Sequence, residues 1–201
     1  MTSPKSEVRP GTAFADVAEM YRRVESAIKA VESVCGKIPT PALNEIRMAF
    51  YHVIYAAEDG NFDNDFEAAL KHCKRAYCDA REIEILAALK IIADFDTSCS
   101  GHEDVVAKNI CGYAEKRKAA MEAKAAISES TMNHTSRDQH YNRCDPYCKT
   151  LRDYCKEISS MRLAISTAIR KERIAFLFKL IFALSALATI IGVALNLFCK
   201  H

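Results

Sequence analysis

The end of the chain limits its possible folds more than any other feature, because residues 180–199 contain no charged side chain. They read LIFALSALATIIGVALNLFC, and Lys200 and His201 follow. At a rise of 1.5 Å per residue, about twenty apolar residues cross a hydrocarbon core of roughly 30 Å. The sequence therefore predicts a transmembrane helix over residues 173–199, with a short tail at 200–201. The alternative is a buried hairpin helix in a larger soluble core.

Positive charges flank this run unequally. Only Lys200 follows it, whereas five cations precede it: Arg162, Arg170, Lys171, Arg173 and Lys179. Because loops rich in Lys and Arg stay on the cytoplasmic side, we expect a single-pass protein whose N-terminal domain is cytoplasmic. The first residues contain no apolar stretch typical of a signal peptide.

The remaining composition is that of an ordinary soluble domain. Of 201 residues, 27% are charged, and the formal net charge is +2. Such a charge gives no reason to expect nucleic-acid binding by the protein as a whole. The nine cysteines are an odd number, and in a cytoplasmic domain we expect them to be reduced thiols, mostly small core residues.

Hydrophobic spacing predicts an all-α, antiparallel helical bundle over residues 12–172, after a flexible N-terminus at 1–11. The predicted helices cover residues 12–35, 40–59, 63–94 and 103–128, and a fifth starts at Asp145-Pro146 and continues into the span. Residues 131–142 are predicted to be a polar loop. In the first helix the apolar seam is Phe14, Val17, Tyr21, Val24, Ile28, Val31 and Cys35.

The second helix, for which Thr40 is the predicted N-cap, is unusual on its far side. Its seam is Leu43, Ile46, Phe50, Val53 and Ala57, and behind it lie Asn44, Arg47, Met48, Tyr51, His52 and Tyr55. Aromatic, Arg and Met side chains are enriched in protein interfaces. We therefore expect a partner on Asn44, Met48, Tyr51 and Tyr55, most simply a second copy related by twofold symmetry.

The same helix carries a family resemblance. The segment Arg47-Met48-Ala49-Phe50-Tyr51-His52 fits the R-x4-H motif of HEPN domains. The strings 41–47 and 71–80 are similar to helical patterns of bacterial defence proteins. A HEPN-like domain with one membrane span resembles the small membrane accessory proteins of type VI-B CRISPR loci. This resemblance implies location in the bacterial inner membrane, an oligomeric pore, and work beside an RNA-guided effector complex or RNA.

Many HEPN domains are ribonucleases, so the resemblance also implies a metal-independent endoribonuclease that uses Arg47 and His52. Cleavage through a 2′-OH needs a His as acid or base and a cation on the phosphate. The two residues lie about 140° apart on one helix, so a site would have to be composed across a dimer. Met48 stands where active HEPN nucleases usually carry a polar residue. The alternative is structural: Arg47 pairs with Glu45, Glu58 or an acid on the third helix, and His52 bonds within an interface.

The other polar clusters in the sequence do not match a known type of functional site. His134, His140, Cys144 and Cys148 are zinc-ligand types, but their spacing matches no common site. We expect no metal, and Cys148 and Cys155 are predicted to form a seam on the fifth helix. His72, Arg75 and Asp79 are predicted to be an exposed ion-pair row. The sequence has no Gly-rich phosphate loop and no G-x-S-x-G or H-E-x-x-H motif, so we expect no cofactor.

The span itself carries small and polar residues. Ala188 and Gly192 form a small-xxx-small pair, which permits close helix approach. Ser185, Thr189 and Asn196 fall on roughly one side. Because a polar stripe in a membrane must face other helices or water, a ring of spans could enclose a pore. The alternative is a plain anchor.

Three functions are compatible with this sequence. The first is a membrane-anchored, oligomeric antiviral-defence effector or accessory protein that perturbs the membrane, with membrane lipid and further copies of itself as partners. The second is a membrane-tethered HEPN ribonuclease. The third is an anchored scaffold without activity of its own.

Overall fold

The computed structural model describes residues 10–132 and 137–198, and the side chains of residues 13–128 and 145–192. These residues form helices and no strand, so the predicted all-α class is confirmed. In chain order the helices are α1 (Pro10–Cys35), α2 (Thr40–Asp59), α3 (Phe62–Ser98), α4 (Glu103–Asn109), α5 (Tyr113–Met132) and α6 (Arg137–Phe198).

Helix α3, with 37 residues, is the spine of the domain. Its first half packs against α1 and α2. Contacts along α3 show the relative direction of the two helices. Helix α1 makes the contacts Phe14–Phe66 and Arg23–Tyr77, and α2 makes His52–Asp65 and Glu45–His72. Helix α1 therefore runs parallel to α3, and α2 runs antiparallel to it.

The second half of α3 packs against α5 and α6. Arg152 reaches Glu84, and Cys155 donates to the carbonyl of Ala88, so α6 runs parallel to α3. Tyr113, at the start of α5, lies near Asp96, close to the end of α3. The bundle therefore mixes parallel and antiparallel neighbours, whereas the sequence predicted a uniformly antiparallel one.

Each half of α3 has its own core. The first core consists of small and branched side chains from α1, α2 and α3, including Val17, Val24, Val31, Ala42, Ala49, Ala56, Ala69 and Ala76. The second core contains larger side chains, including Ile85, Ile92, Phe95, Leu151, Tyr154, Ile158 and Ile165. Cys148 and Cys155 lie in this second core, which confirms the predicted seam on the last helix.

A buried charge network joins the two cores. The carboxylate of Glu84 is 1% exposed, and it accepts hydrogen bonds from Arg152 at 2.6 and 2.8 Å and from Arg81 at 2.7 Å. Nε of Arg81 lies 3.1 Å from the carboxylate of Asp145. The two groups form an ion pair but not a hydrogen bond. Tyr77 donates to the same Asp145 at 2.7 Å. The guanidinium groups of Arg23 and Arg81 stack on the Tyr77 ring, so the network ties α1, α3 and α6 together.

Several helix boundaries differ from the prediction. Helix α2 has Pro39 at its N-cap, not Thr40, and it ends as predicted at Gly60, whose φ of 74° favours glycine. The predicted fourth helix is two helices, α4 and α5, because Gly112 has a φ of 61°. Helix α6 begins at Arg137, so residues 137–142 of the predicted loop are helical and the predicted helix start at Asp145-Pro146 is wrong, because Pro146 lies inside the helix.

Helix α6 leaves the domain as one continuous element. It has 62 residues, which corresponds to roughly 90 Å. Among its described side chains the last buried one is Ile169, and every one from Arg170 to Gly192 is exposed. The part Asp145–Gly192 is long and apolar enough to cross a membrane, and its most apolar window has a mean hydropathy of 2.4 with none of it buried.

We predict that Glu84→Ala destabilises the domain by about 3–5 kcal/mol, because it leaves the guanidinium groups of Arg81 and Arg152 without their shared carboxylate. Thermal unfolding of the full chain in detergent, followed by circular dichroism, measures the change. Glu19→Ala is the control, since Glu19 is exposed on α1. Equal melting temperatures for the two variants would contradict a structural role of the network.

Candidate functional site

Helix α2 contacts α3 through alanines. Ala42, Ala49 and Ala56 are buried and recur every seven residues, which lets the two helix backbones approach closely. The predicted seam lies beside this stripe, and two of its large members, Leu43 and Phe50, are 41% and 51% exposed. The prediction was therefore wrong for Leu43 and Phe50, whose places at the core are taken by alanines, whereas the seam residues Ile46 and Val53 are partly buried and pack against the core.

One flank of α2 holds two histidine–carboxylate pairs. Nδ1 of His52 lies 3.1 Å from Asp65, and Nδ1 of His72 lies 2.7 Å from Glu45. The two rings stack on each other with centroids 5.4 Å apart and planes inclined by 21°. All four side chains are between 15% and 26% exposed. Each pair therefore joins α2 to α3 across a half-buried seam.

The structure separates Arg47 from His52. Arg47 is exposed on the outer side of α2 and forms no ion pair with any described residue, so the predicted pairing with Glu45, Glu58 or a third-helix acid is not made. His52 is the residue that meets an acid of the third helix. His72 is half-buried and paired with α2, which also corrects the predicted exposed row of His72, Arg75 and Asp79.

This arrangement limits the chemistry of one copy. Both histidines use Nδ1 for a carboxylate, which stabilises and orients the rings. Arg47 lies about 140° from His52 around the helix and is exposed, so one copy does not bring a cation and an acid–base group together on a common phosphate. The four acidic and imidazole groups form two separate pairs, and the described side chains contain no group of three or more His, Cys, Asp or Glu arranged to hold a metal ion.

The outer side of α2 is apolar and exposed. Met48, Tyr51 and Tyr55 are 40%, 51% and 44% exposed, and Asn44 lies beside them, also exposed. The Tyr51 and Tyr55 rings contact each other with centroids 5.1 Å apart. We call these four residues the outer face of α2.

An apolar groove of about 450 Å³ separates α2 from α1. Both helices pack against α3. They contact each other through the rings of Tyr21 and Phe50, which meet edge to face with centroids 5.9 Å apart. Phe14 and Tyr21, predicted as core, are 51% and 37% exposed here. Buried Cys73 lines the bottom of the groove, and burial raises the pKa of its thiol to about 11, so it is a packing residue and a poor nucleophile near neutral pH.

The small and polar residues of the predicted span lie on the last part of α6, where no described side chain is buried. Ser185 donates to the carbonyl of Phe182, and Thr189 donates to the carbonyl of Ser185. These hydroxyls are therefore satisfied within their own helix. Ala188 and Gly192 are exposed. The Asn196 side chain lies outside the described residues, as do His134 and the side chains of His140 and Cys144.

Sequence reasoning missed the partners of the histidines. Glu45 and His52 are seven residues apart and so share a flank of α2. Asp65 and His72 have the same spacing on α3. Two seven-residue repeats of an acid and a histidine on consecutive helices are the signal that could have predicted the paired arrangement.

Comparison with known protein families, characterised proteins and solved structures gives no significant match for this chain. Its function therefore has to be argued from its own residues.

We predict that His52→Ala lowers the free energy of unfolding by about 1–2 kcal/mol, because Asp65 loses its partner in a half-buried seam. Arg47→Ala, the control on the same helix, should change it by less than about 0.5 kcal/mol. Thermal unfolding of the full chain provides both values.

The same two variants test the nuclease interpretation. We expect no cleavage of labelled RNA by the detergent-purified wild type. Cleavage that disappears in both Arg47→Ala and His52→Ala would favour a composite nuclease site across two copies.

Proposed function

We propose that this chain is a membrane-anchored, self-associating helical protein that acts on the membrane in bacterial antiviral defence. The observation that carries the proposal is the continuity of α6. One helix contributes Leu151, Tyr154 and Ile165 to the buried core and then runs, without a described break, into about twenty exposed apolar residues. Exposed apolar surface of that length is stable in lipid and unfavourable in water.

The continuity also provides mechanical coupling. Helix α6 lies along α3, and its arginine Arg152 is held by buried Glu84. A rotation or shift of the domain is therefore passed to the span by a single rigid element. A flexible linker between domain and span would not transmit such a change.

Self-association is supported by the amount of apolar surface around α2. Large apolar side chains there and on the neighbouring helix ends are 37–55% exposed: Phe14, Tyr21, Leu43, Met48, Phe50, Tyr51, Ile54, Tyr55 and Phe62. With aromatic side chains of about 150–250 Å² each, such a set leaves on the order of 800 Å² uncovered. A standard interface buries about 800 Å² per partner.

The occupant we propose for this surface is a second copy of the chain. A helix that is apolar nearly all round is normally enclosed on all sides. Anchoring also confines all copies to one plane with one orientation, which raises their effective concentration. The setting in antiviral defence rests on the resemblance of residues 41–52 and 71–80 to defence proteins.

Perturbation of the membrane is the proposed output, and a ring of spans is one form of it. The small residues Ala188 and Gly192 suit close approach of neighbouring spans. The hydroxyls of Ser185 and Thr189 bond to their own helix, so they do not by themselves require a water-filled lumen. A nuclease tethered to the membrane would need Arg47 of one copy to meet His52 of another.

We predict that the full chain fractionates with membranes and resists extraction by alkaline carbonate, whereas residues 1–172 are soluble. The truncated chain keeps every buried side chain of both cores, since the last of them is Ile169, and it loses the exposed apolar helix. Cell fractionation and circular dichroism of both proteins test this. Full-length protein recovered in the soluble fraction without detergent would contradict the anchor.

We predict that the double variant Tyr51→Glu and Tyr55→Glu reduces crosslinked oligomers at least fivefold and abolishes depolarisation of cells that express the activated protein. Carboxylates on the outer face of α2 would have to be buried unpaired in the interface. Membrane insertion should be unchanged.

The matched control is Met121→Glu with Leu163→Glu, which replaces two side chains that are 68% and 78% exposed far from α2. Equal crosslinking in both double variants would refute the interface. Normal oligomers in wild-type cells that never depolarise would favour the scaffold without activity.

A further inference from the structure

A second site lies where the domain meets the membrane. Beside the end of α3, helix α6 lines a pocket of about 300 Å³, which is at the lower end of the range for small-molecule sites. Its polar rim is formed by Arg162, Arg170 and Arg173, with Ser98 and Ser166. Its floor is apolar and includes Phe95, Ile165 and Ile169, all at most 7% exposed.

The pocket is positively charged without compensation. No Asp or Glu is among its lining residues. Arg162 and Arg170 form no ion pair with any described residue, although they lie two helical turns apart on one side of α6. Three arginines line one concave surface, and guanidinium groups bind phosphate oxygens in a bidentate manner.

His102 holds the third arginine in place. Nε of Arg173 lies 3.2 Å from Nε2 of His102, and because a guanidinium can only donate, that ring nitrogen is the acceptor. The ring proton is then on Nδ1, which faces Glu172 at 3.6 Å. The only acidic residue next to the arginines in sequence is thereby engaged by the histidine, outside the pocket.

If the apolar part of α6 crosses the membrane as proposed, the pocket lies at the height of the lipid headgroups. Arg173 directly precedes Ile174, Phe176, Leu177 and Phe178, which are 43–69% exposed. Lys179 can extend its ammonium group back toward the interface, so residues 174–198, about 25 in number, fit a tilted crossing. Arg170 and Arg173 then lie in the headgroup layer, with Arg162 above them.

We propose that this pocket binds the phosphate of an anionic phospholipid, with the three guanidinium groups around the phosphodiester. Its apolar floor accommodates the carbon skeleton of the headgroup, and the acyl chains pass down beside the exposed start of the span. The lipid thereby fixes the domain against the membrane surface. This inference rests on the proposed membrane anchor.

The test uses the detergent-purified full chain and native mass spectrometry with equimolar phosphatidylglycerol and phosphatidylcholine. We expect phosphatidylglycerol to be retained about tenfold or more over phosphatidylcholine. The triple variant Arg162→Gln, Arg170→Gln and Arg173→Gln should lose that preference. The control triple variant is Lys149→Gln, Lys156→Gln and Lys171→Gln, which removes the same charge from exposed positions of α6 outside the pocket. An equal loss in both triple variants, or no loss in either, would overturn the site.

A milder pair of variants covers the case in which the triple variant fails to fold. Ser166→Asp keeps all three arginines and places a carboxylate on the rim, whereas Ser166→Asn is nearly the same size and neutral. We expect Ser166→Asp to lose the preference for phosphatidylglycerol about tenfold and Ser166→Asn to retain it. Equal retention by the two would refute the inference.

Two further measurements are needed. One distinguishes a lipid phosphate from a soluble phosphate ester, and the other distinguishes failure of the pocket from failure of the membrane anchor. Millimolar inorganic phosphate or glycerophosphoglycerol should not displace the bound lipid, and displacement by either would mean that the pocket is a site for soluble phosphate esters. Flotation with phosphatidylcholine vesicles tests the anchor alone. Protein that floats but shows no lipid preference refutes the pocket, and protein that does not float refutes the proposed function.

Discussion

The buried carboxylate of Glu84 is the interaction on which the architecture depends. It lies near the middle of α3, where the core shared with α1 and α2 ends and the core shared with α5 and α6 begins. Two arginines bring positive charge to it from α3 and α6. A charge in such a place is costly unless it is fully paired, so the network fixes the register of α6 along α3. Since α6 continues as the apolar helix, the same register sets the direction in which that helix leaves the domain.

Helix α2 is fixed by a different constraint. Its alanine stripe brings it close to α3, and the two histidine–carboxylate pairs fix its position along that helix. Because small residues of α2 face the core, larger ones remain outside, and this is why Phe50, Tyr51 and Tyr55 are exposed. The two residues of the motif that resembles HEPN domains therefore lie in different surroundings within one copy. His52 stabilises the contact between α2 and α3, and Arg47 is exposed.

The end of the domain from which the apolar helix leaves combines a buried core with exposed charged side chains. Ile165 and Ile169 still belong to the core, whereas Arg162, Arg170 and Arg173 on the adjoining side remain uncovered around a pocket. A protein that only needed an anchor could place its cations anywhere before the span. Here three of them share one concave surface, and the proposed contact with the headgroup layer would explain that arrangement.

The sequence by itself determined the helical class, the end of α2 at Gly60, the seam of Cys148 and Cys155, and the apolar helix near the end of the chain. Each depends on local periodicity, on a backbone preference of glycine or on an uninterrupted apolar run. Only the tertiary structure decided which stripe of α2 faces inward, because the alanine stripe and the larger residues Leu43 and Phe50 lie side by side and the distance to α3 selects between them. It also decided that His52 and His72 meet across two helices, and that the arginines before the span form one pocket. Those outcomes depend on the direction and register in which the helices pack; the acid–histidine repeats on α2 and α3 permit the pairing, but they do not specify it.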